Sequence, residues 1–171
     1  MVSLGMQGVV ERIYVAGYGS QPMQELASVE ALRGLGLQGD RYANKTGYWS
    51  GVDECQVTLI ESEVLGCIAE DTGLEIIAGE HRRNIVTRGV RLSQLLGKWF
   101  AVGTAVFEYD RPRPPCFHIQ ALTQPGMSKA LFGQRGGIGA RVLRAGRIQV
   151  RDPIRVLMEL PDVHHTSTPV A

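Results

Sequence analysis

Cys116 is the side chain around which reactive chemistry is easiest to build. It follows Arg111-Pro112-Arg113-Pro114-Pro115 and stands two positions before His118. Cationic neighbours favour thiolate over thiol, and the thiolate is the form that attacks electrophiles and binds soft metals. The prolines fix φ and remove backbone donors, so this thiol is delivered by a stiff segment. The competing reading is a small buried hydrophobe, the usual station of a free cysteine. A second constellation is Arg82-Arg83-Asn84. On an extended segment Arg82 and Asn84 point to one face and Arg83 to the other. A guanidinium fork beside an amide suits a phosphate or carboxylate; the alternative is a solvated arginine pair at a strand edge. A third is the turn-rich stretch Gly34–Tyr42, GLGLQGDRY, whose glycines allow close backbone approach. Asp40 and Arg41 there add one charge of each sign, or simply form an Asx turn with a solvated arginine.

The elements that must hold these residues are short. Gly8–Ala16 and Gln56–Ile60 are β-branched or apolar runs and predict strands, with Val29–Leu32 a possible third. Ser62 is placed to cap a helix reaching about Asp71, with Gly73 to end it. Val64, Leu65, Ile68 and Ala69 share one face of that helix, and Cys67 beside them reads as packing. Leu92–Leu96 suggests a short helix and Trp99–Val102 a strand. Ala105–Tyr109 continues as a strand into the proline run, and His118–Leu122 reads as extended. Ser128–Phe132 suggests a helical turn. Arg135–Met158 reads as two or three strands punctuated by Gly146 and Pro153. Gly136, Gly137 and Gly139 precede a β-like run, which argues against a dinucleotide fingerprint. Asn44–Glu54 has the composition of a loop. Many short strands, few helices and many glycine turns predict a mostly β, barrel-like domain.

Composition narrows the function classes. The chain has 171 residues, 20% charged and 44% hydrophobic, with a formal net charge of +1. That suits one globular domain and gives no reason to expect nucleic acid as a partner. No apolar run approaches the roughly 18 residues of a membrane span, and no secretory pattern opens the sequence. Three cysteines, at 55, 67 and 116, fit reduced cytoplasmic thiols better than a disulfide framework. A zinc site from Cys116, His118 and His81 lacks the paired spacing of structural zinc sites. A Cys–His hydrolase lacks a supporting nucleophile motif.

Taken in series, GLQGDRY, QVTLIESEVL, GEHRRNIVTRGVRLSQLLGKWFAVG, RPRPPC and RVLRAGRIQVRD resemble the MOSC domain. This is the C-terminal domain of molybdenum cofactor sulfurases, also found alone as small bacterial proteins. The resemblance runs from about Gly8 to Val156. The polar, proline-bearing composition of 161–171 predicts a disordered tail, and the resemblance implies an α+β, mostly β, barrel-like fold with a few short peripheral helices, residues 1–160 forming the domain. It also implies that Cys116 is the catalytic and metal-binding residue. Arg82, Arg83, Asn84, Arg41 and Asp40, with Thr58 and His118, would bind the cofactor.

In related reductases the equivalent cysteine ligates molybdenum carried by molybdopterin; in the sulfurases it is proposed to carry sulfur. Soft thiolate suits molybdenum, and arginine forks suit a pterin's terminal phosphate. The resemblance therefore implies a molybdenum-cofactor protein that reduces N-hydroxylated compounds. A separate redox protein would supply the electrons, since no flavin or iron–sulfur motif occurs. The alternative is a non-catalytic carrier with a persulfide on Cys116, fed by a cysteine desulfurase, because the chain has no room for a pyridoxal phosphate domain. The sequence departs from the family pattern at Arg151, where a glycine usually precedes the aspartate.

Overall fold

The computed structural model describes residues 3–161, with side chains from residue 7 onward. In chain order the strands and helices are β1 (Ser3–Val15), β2 (Gln24–Leu26), β3 (Ser28–Leu32), β4 (Gly36–Leu37), α1 (Arg41–Asn44), β5 (Val57–Glu61), α2 (Ser62–Thr72) and β6 (Ile85–Arg88). They continue as β7 (Trp99–Val102), β8 (Ala105–Pro112), α3 (Phe117–Leu122), α4 (Met127–Ala130), β9 (Ile138–Arg144), β10 (Gly146–Gln149) and β11 (Pro153–Leu157). Short 3₁₀ turns occupy Leu92–Leu95 and Gly133–Gly136.

Seven strands close into a barrel in the order β1-β11-β7-β8-β9-β5-β6 and back to β1, while β2 pairs outside the ring along β1. A small second sheet, β10-β3-β4, packs beside it. The resulting fold is the mostly β barrel with a few short helices that the sequence predicts. Its neighbours are antiparallel except β5–β6, which are parallel and need a crossover. Helix α2 supplies that crossover.

The double burial of β5 follows from this arrangement. Val57 and Leu59 enter the barrel core, and Ile60 enters a second cluster with Ile68, Ile76, Val86, Ile119, Met127 and Leu131. Inside the barrel, Phe100 and Phe107 face each other across β7 and β8 with ring centroids 5.8 Å apart. Truncating either to alanine should cost about 3–5 kcal/mol, the usual sum of lost transfer energy and cavity.

Several local expectations change. Ser62 is the first residue of α2; Glu61 precedes it at the cap position, and no side-chain hydrogen bond caps the helix. Gly73 does end it, in the left-handed region at φ 70°. Cys67 is exposed on α2 instead of packed. The stretch after Cys116 is helical, not extended, because Ile119 reaches the second cluster from α3. Helix α4 begins at Met127, one residue earlier than expected, and Leu92–Leu95 closes as a 3₁₀ turn. The tail expectation falls almost wholly outside the described residues.

Gly136 and Gly137 have a packing role. A Cβ on Gly136 would lie 2.1 Å from the Arg113 carbonyl oxygen. One on Gly137, at φ 78°, would lie 2.1 Å from that of Leu59. Only glycine lets this turn press against the backbones of the proline run and β5.

Candidate functional site

Strand β8 carries the proline run to the rim of the barrel. Arg111 pairs with Gly139 and Pro112 with Ile138, and the Arg113 N–H donates to the Gly137 carbonyl at 2.9 Å. Cys116 closes the run in extended conformation, φ −119° and ψ 163°. Its carbonyl accepts from Ser128 Oγ at 2.9 Å and from the Ile119 N–H at 3.2 Å. The backbone of this cysteine is thus fixed from both helices behind it, while the residue itself is half-buried. It lines a cleft of about 230 Å³ with Pro115, His118, Tyr42, Tyr48, Trp49, Asp53 and four arginines: Arg41, Arg82, Arg83 and Arg113.

All four arginines are buried. Arg41 pairs with Asp40 at 3.0 Å and lies 4.4 Å over the Tyr42 ring. Asp40 is fully buried and also accepts from the Ala16 and Tyr42 N–H groups. Arg113 pairs with Asp53 at 3.0 Å, and Asp53 also accepts from Arg111. Arg82 and Arg83 have no carboxylate partner among the described residues. Arg82 donates to the carbonyls of Gln21 at 2.6 Å and Gly19 at 3.0 Å. Arg83 donates to those of Gly136 at 2.7 Å, and of His81 and Arg113, each at 3.3 Å. Four buried guanidiniums therefore face two carboxylates, which leaves the cleft electropositive.

The titration behaviour follows from that excess. Burial pushes Arg82 down to about 10, and the charge of Arg41 pushes the same way. Burial likewise pushes Arg83 down to about 10, with Arg113 and Arg41 adding to it. At Arg113 burial also acts downward, but Tyr42, Cys55 and Asp53 hold the group above its ordinary value. A charge taken out of water without a full partner is costly, so the pocket is poised for an anion.

Not every expected site residue reaches the cleft. Arg82 has φ 58°, in the left-handed region, and strand β6 begins only at Ile85. The alternation expected to place Arg82 and Asn84 on one face therefore does not hold. Arg82 and Arg83 both line the cleft, whereas Asn84 turns inward. Its Oδ1 accepts from the Thr58 N–H at 3.0 Å and from Thr58 Oγ1 at 3.1 Å, and its Nδ2 donates to the Tyr14 carbonyl at 3.1 Å. Thr58 and Asn84 are both fully buried, so they form a clamp between β1, β5 and the arginine turn behind the site.

His81 is buried, and its Nδ1 accepts from the Arg83 N–H at 2.9 Å. That bond occupies Nδ1, and His81 is not among the residues that line the cleft with Cys116. His118 does line the cleft; its ring stacks on Tyr48 at 3.8 Å, and its Nε2 is buried without a hydrogen-bond partner. Cys55 is buried behind the cleft, with its Sγ 3.8 Å from the Val57 carbonyl. Arg113, Tyr42, Tyr48 and Asp53 were not among the expected site residues. Only Arg113 carried a sequence signal, its place in the proline run.

A seven-stranded barrel with an arginine-lined cleft and a half-buried thiol at its wall is the arrangement the comparisons must match. The family profile of the MOSC domain matches residues 46–155, and the chain belongs to that family, which is associated with molybdenum cofactor binding. No curated protein matches the sequence. Among solved structures, YuaD from Bacillus subtilis superposes with a TM-score of 0.73 at 20% identity, covering 91% of this chain and 98% of that one. YiiM from Escherichia coli gives 0.67 at 18% identity, covering 93% and 73%. YiiM from Geobacillus stearothermophilus gives 0.59 at 20% identity, covering 89% and 74%. At these identities the likeness concerns the fold.

Proposed function

We propose that the cleft binds molybdopterin through its phosphate, with Arg82 and Arg83 as the anion contacts and Cys116 as the sulfur ligand for its molybdenum. The carrying observation is the charge balance: four buried guanidiniums against two carboxylates, beside an accessible thiol. Orphaned polar atoms support the fit, since Arg113 Nε and His118 Nε2 are buried without partners. A phosphate suits donors fixed in forks, and thiolate suits a soft metal. Arg41 and Asp40 keep the forks in place, and Asn84 with Thr58 supports them from behind; all four act through structure.

When bound, the cofactor supplies two-electron oxygen-atom transfer, which converts an N-hydroxylated compound to its reduced form and water. The electrons would come from a separate redox protein in the cytoplasm, and the two protons from solvent. The half-buried position of Cys116 at the cleft wall also suits a second reading. There the protein is not an enzyme: Cys116 holds a persulfide received from a cysteine desulfurase, for delivery to cofactor or cluster assembly.

Elemental and pterin analysis of protein purified from a cofactor-competent host tests both readings. Molybdenum and pterin near one per chain, with molybdenum lost in Cys116→Ala, supports the first. Persulfide on Cys116 without molybdenum supports the second. Neither metal, pterin nor persulfide would rule out both.

A further inference from the structure

The Asp53 carboxylate occupies the cleft as an anion already would. One oxygen accepts from Arg113 Nη1 at 3.0 Å and the other from Arg111 Nη2. Arg111 also donates to the Glu54 carbonyl at 2.7 Å. Arg113 is buried and its Nε has no partner, while Asp53 itself is half-exposed. The stronger charge-assisted partner for Arg113 would be a ligand anion that reaches Nε as well as Nη1. Asp53 ends a turn-rich loop, residues 45–54, that places Tyr48, Trp49 and Val52 along the cleft, all three exposed. The two arginine contacts tie this loop to the barrel, while the Lys45–Glu54 pair at 2.5 Å joins the two ends of the loop to each other.

We propose that Asp53 is a counter-ion displaced by the ligand, so that the cleft admits phosphate-class polyanions and rejects monocarboxylates. This rests on the anion-binding reading of the cleft. A free monocarboxylate offers the arginines what Asp53 already offers, yet must compete with a tethered group at high effective concentration. A dianionic phosphate or a diphosphate brings more charge and at least three acceptor oxygens, enough to occupy Arg113 and reach Arg82 and Arg83 together. Displacement removes the Asp53 side-chain tether to β8, leaving the Arg111 bond to the Glu54 carbonyl, and changes the surroundings of Trp49.

Calorimetric titration with pyrophosphate, inorganic phosphate and acetate tests the idea. The wild-type protein should prefer pyrophosphate to acetate by at least about a hundredfold, and Asp53→Asn should shrink that ratio by about tenfold, mainly by gaining acetate binding. Glu54→Gln removes a charge from the same loop outside the arginine cluster and should leave the ratio unchanged. An Asp53→Asn ratio equal to the wild-type ratio overturns the proposal, as does an equal change in Glu54→Gln.

If Asp53→Asn does not fold, the wild-type loop still reports. In a Trp99→Phe background, pyrophosphate but not acetate should change acrylamide quenching of Trp49, and unchanged quenching overturns displacement. Arg82→Gln separates the two levels. Should it abolish pyrophosphate binding while Asp53→Asn behaves as wild type, only the Asp53 proposal fails. Should pyrophosphate binding ignore Arg82→Gln, the reading of the cleft fails with it.

Discussion

Arg41 Nη2 donates to the backbone carbonyl of Arg82 at 3.1 Å, so one guanidinium holds the peptide that carries the next. Because Asp40 fixes Arg41, the placement of Arg82 is anchored at a carboxylate wholly shielded from water. Asp40→Ala leaves the buried Arg41 charge without its partner and should destabilise the fold by about 3–5 kcal/mol. Urea unfolding of the variant measures this, and a loss below about 1 kcal/mol would contradict the anchoring role.

Arg82→Lys keeps the charge and loses the fork. It should weaken pyrophosphate binding by about 1–3 kcal/mol, roughly tenfold to a hundredfold, in a protein that still melts cooperatively. Affinity equal to wild type by calorimetry would remove Arg82 from the anion contacts.

The three thiols should separate by burial and by protection with an anion. Cys55 is buried, and burial raises its pKa, so it should stay unlabelled in the folded protein. Cys67, exposed on α2, and Cys116, in the arginine cleft, should both react with neutral iodoacetamide. Pyrophosphate should slow the labelling of Cys116 by about tenfold and leave Cys67 unchanged. Peptide mapping that finds both thiols equally protected, or neither, would argue against a cationic cleft.

His81 gives the fold an acid-sensitive element. Burial, with Arg83 and Arg12 acting in the same sense, lowers its pKa from 6.5 to about 3. Between those values the unfolded chain takes a proton at His81 that the folded chain refuses, so stability falls as pH drops from 6.5 towards 3. The slope from this group is about 1.4 kcal/mol per pH unit. His81→Asn keeps a side-chain acceptor for the Arg83 N–H and removes the titration. Its urea stability should therefore decline less than wild type between pH 6.5 and 4; parallel declines would exclude His81 as the source.

Arg151 adopts φ 77° in the turn before β11, a backbone region that favours glycine. A side chain in that region is strained, so Arg151→Gly should stabilise by about 0.5–1 kcal/mol despite the entropy cost of glycine. A lower melting temperature would show that the arginine side chain offsets its own strain.

Elements with strong local patterns were legible. Trp99–Val102 alternates β-forming residues and is β7 end to end, and Gly73 terminates α2 as its position suggested. The barrel itself followed from the density of short strands and turns. The site was legible in residue types more than in geometry. The Arg82 backbone leaves the extended region, which reverses the face argument that joined it to Asn84 and brings in Arg83 instead. Asp53 sits in a polar loop with no periodicity, and its partners lie 58 and 60 residues away. No local pattern could reveal a pairing that only barrel closure creates.

That closure joins the first strand to the last: β1 pairs with β11, Gly8 opposite Ile154 and Val9 opposite Pro153. During synthesis the first half of β1 must wait, one edge unpaired, until β11 has cleared the ribosome. Nearly every arginine contact of the cleft has been translated by then, yet the barrel that supports them is still open. A nascent chain stalled before residue 153 should thus remain sensitive to protease along β1 and accessible to chaperones. Release of the last strand would then complete barrel and cleft in one cooperative event.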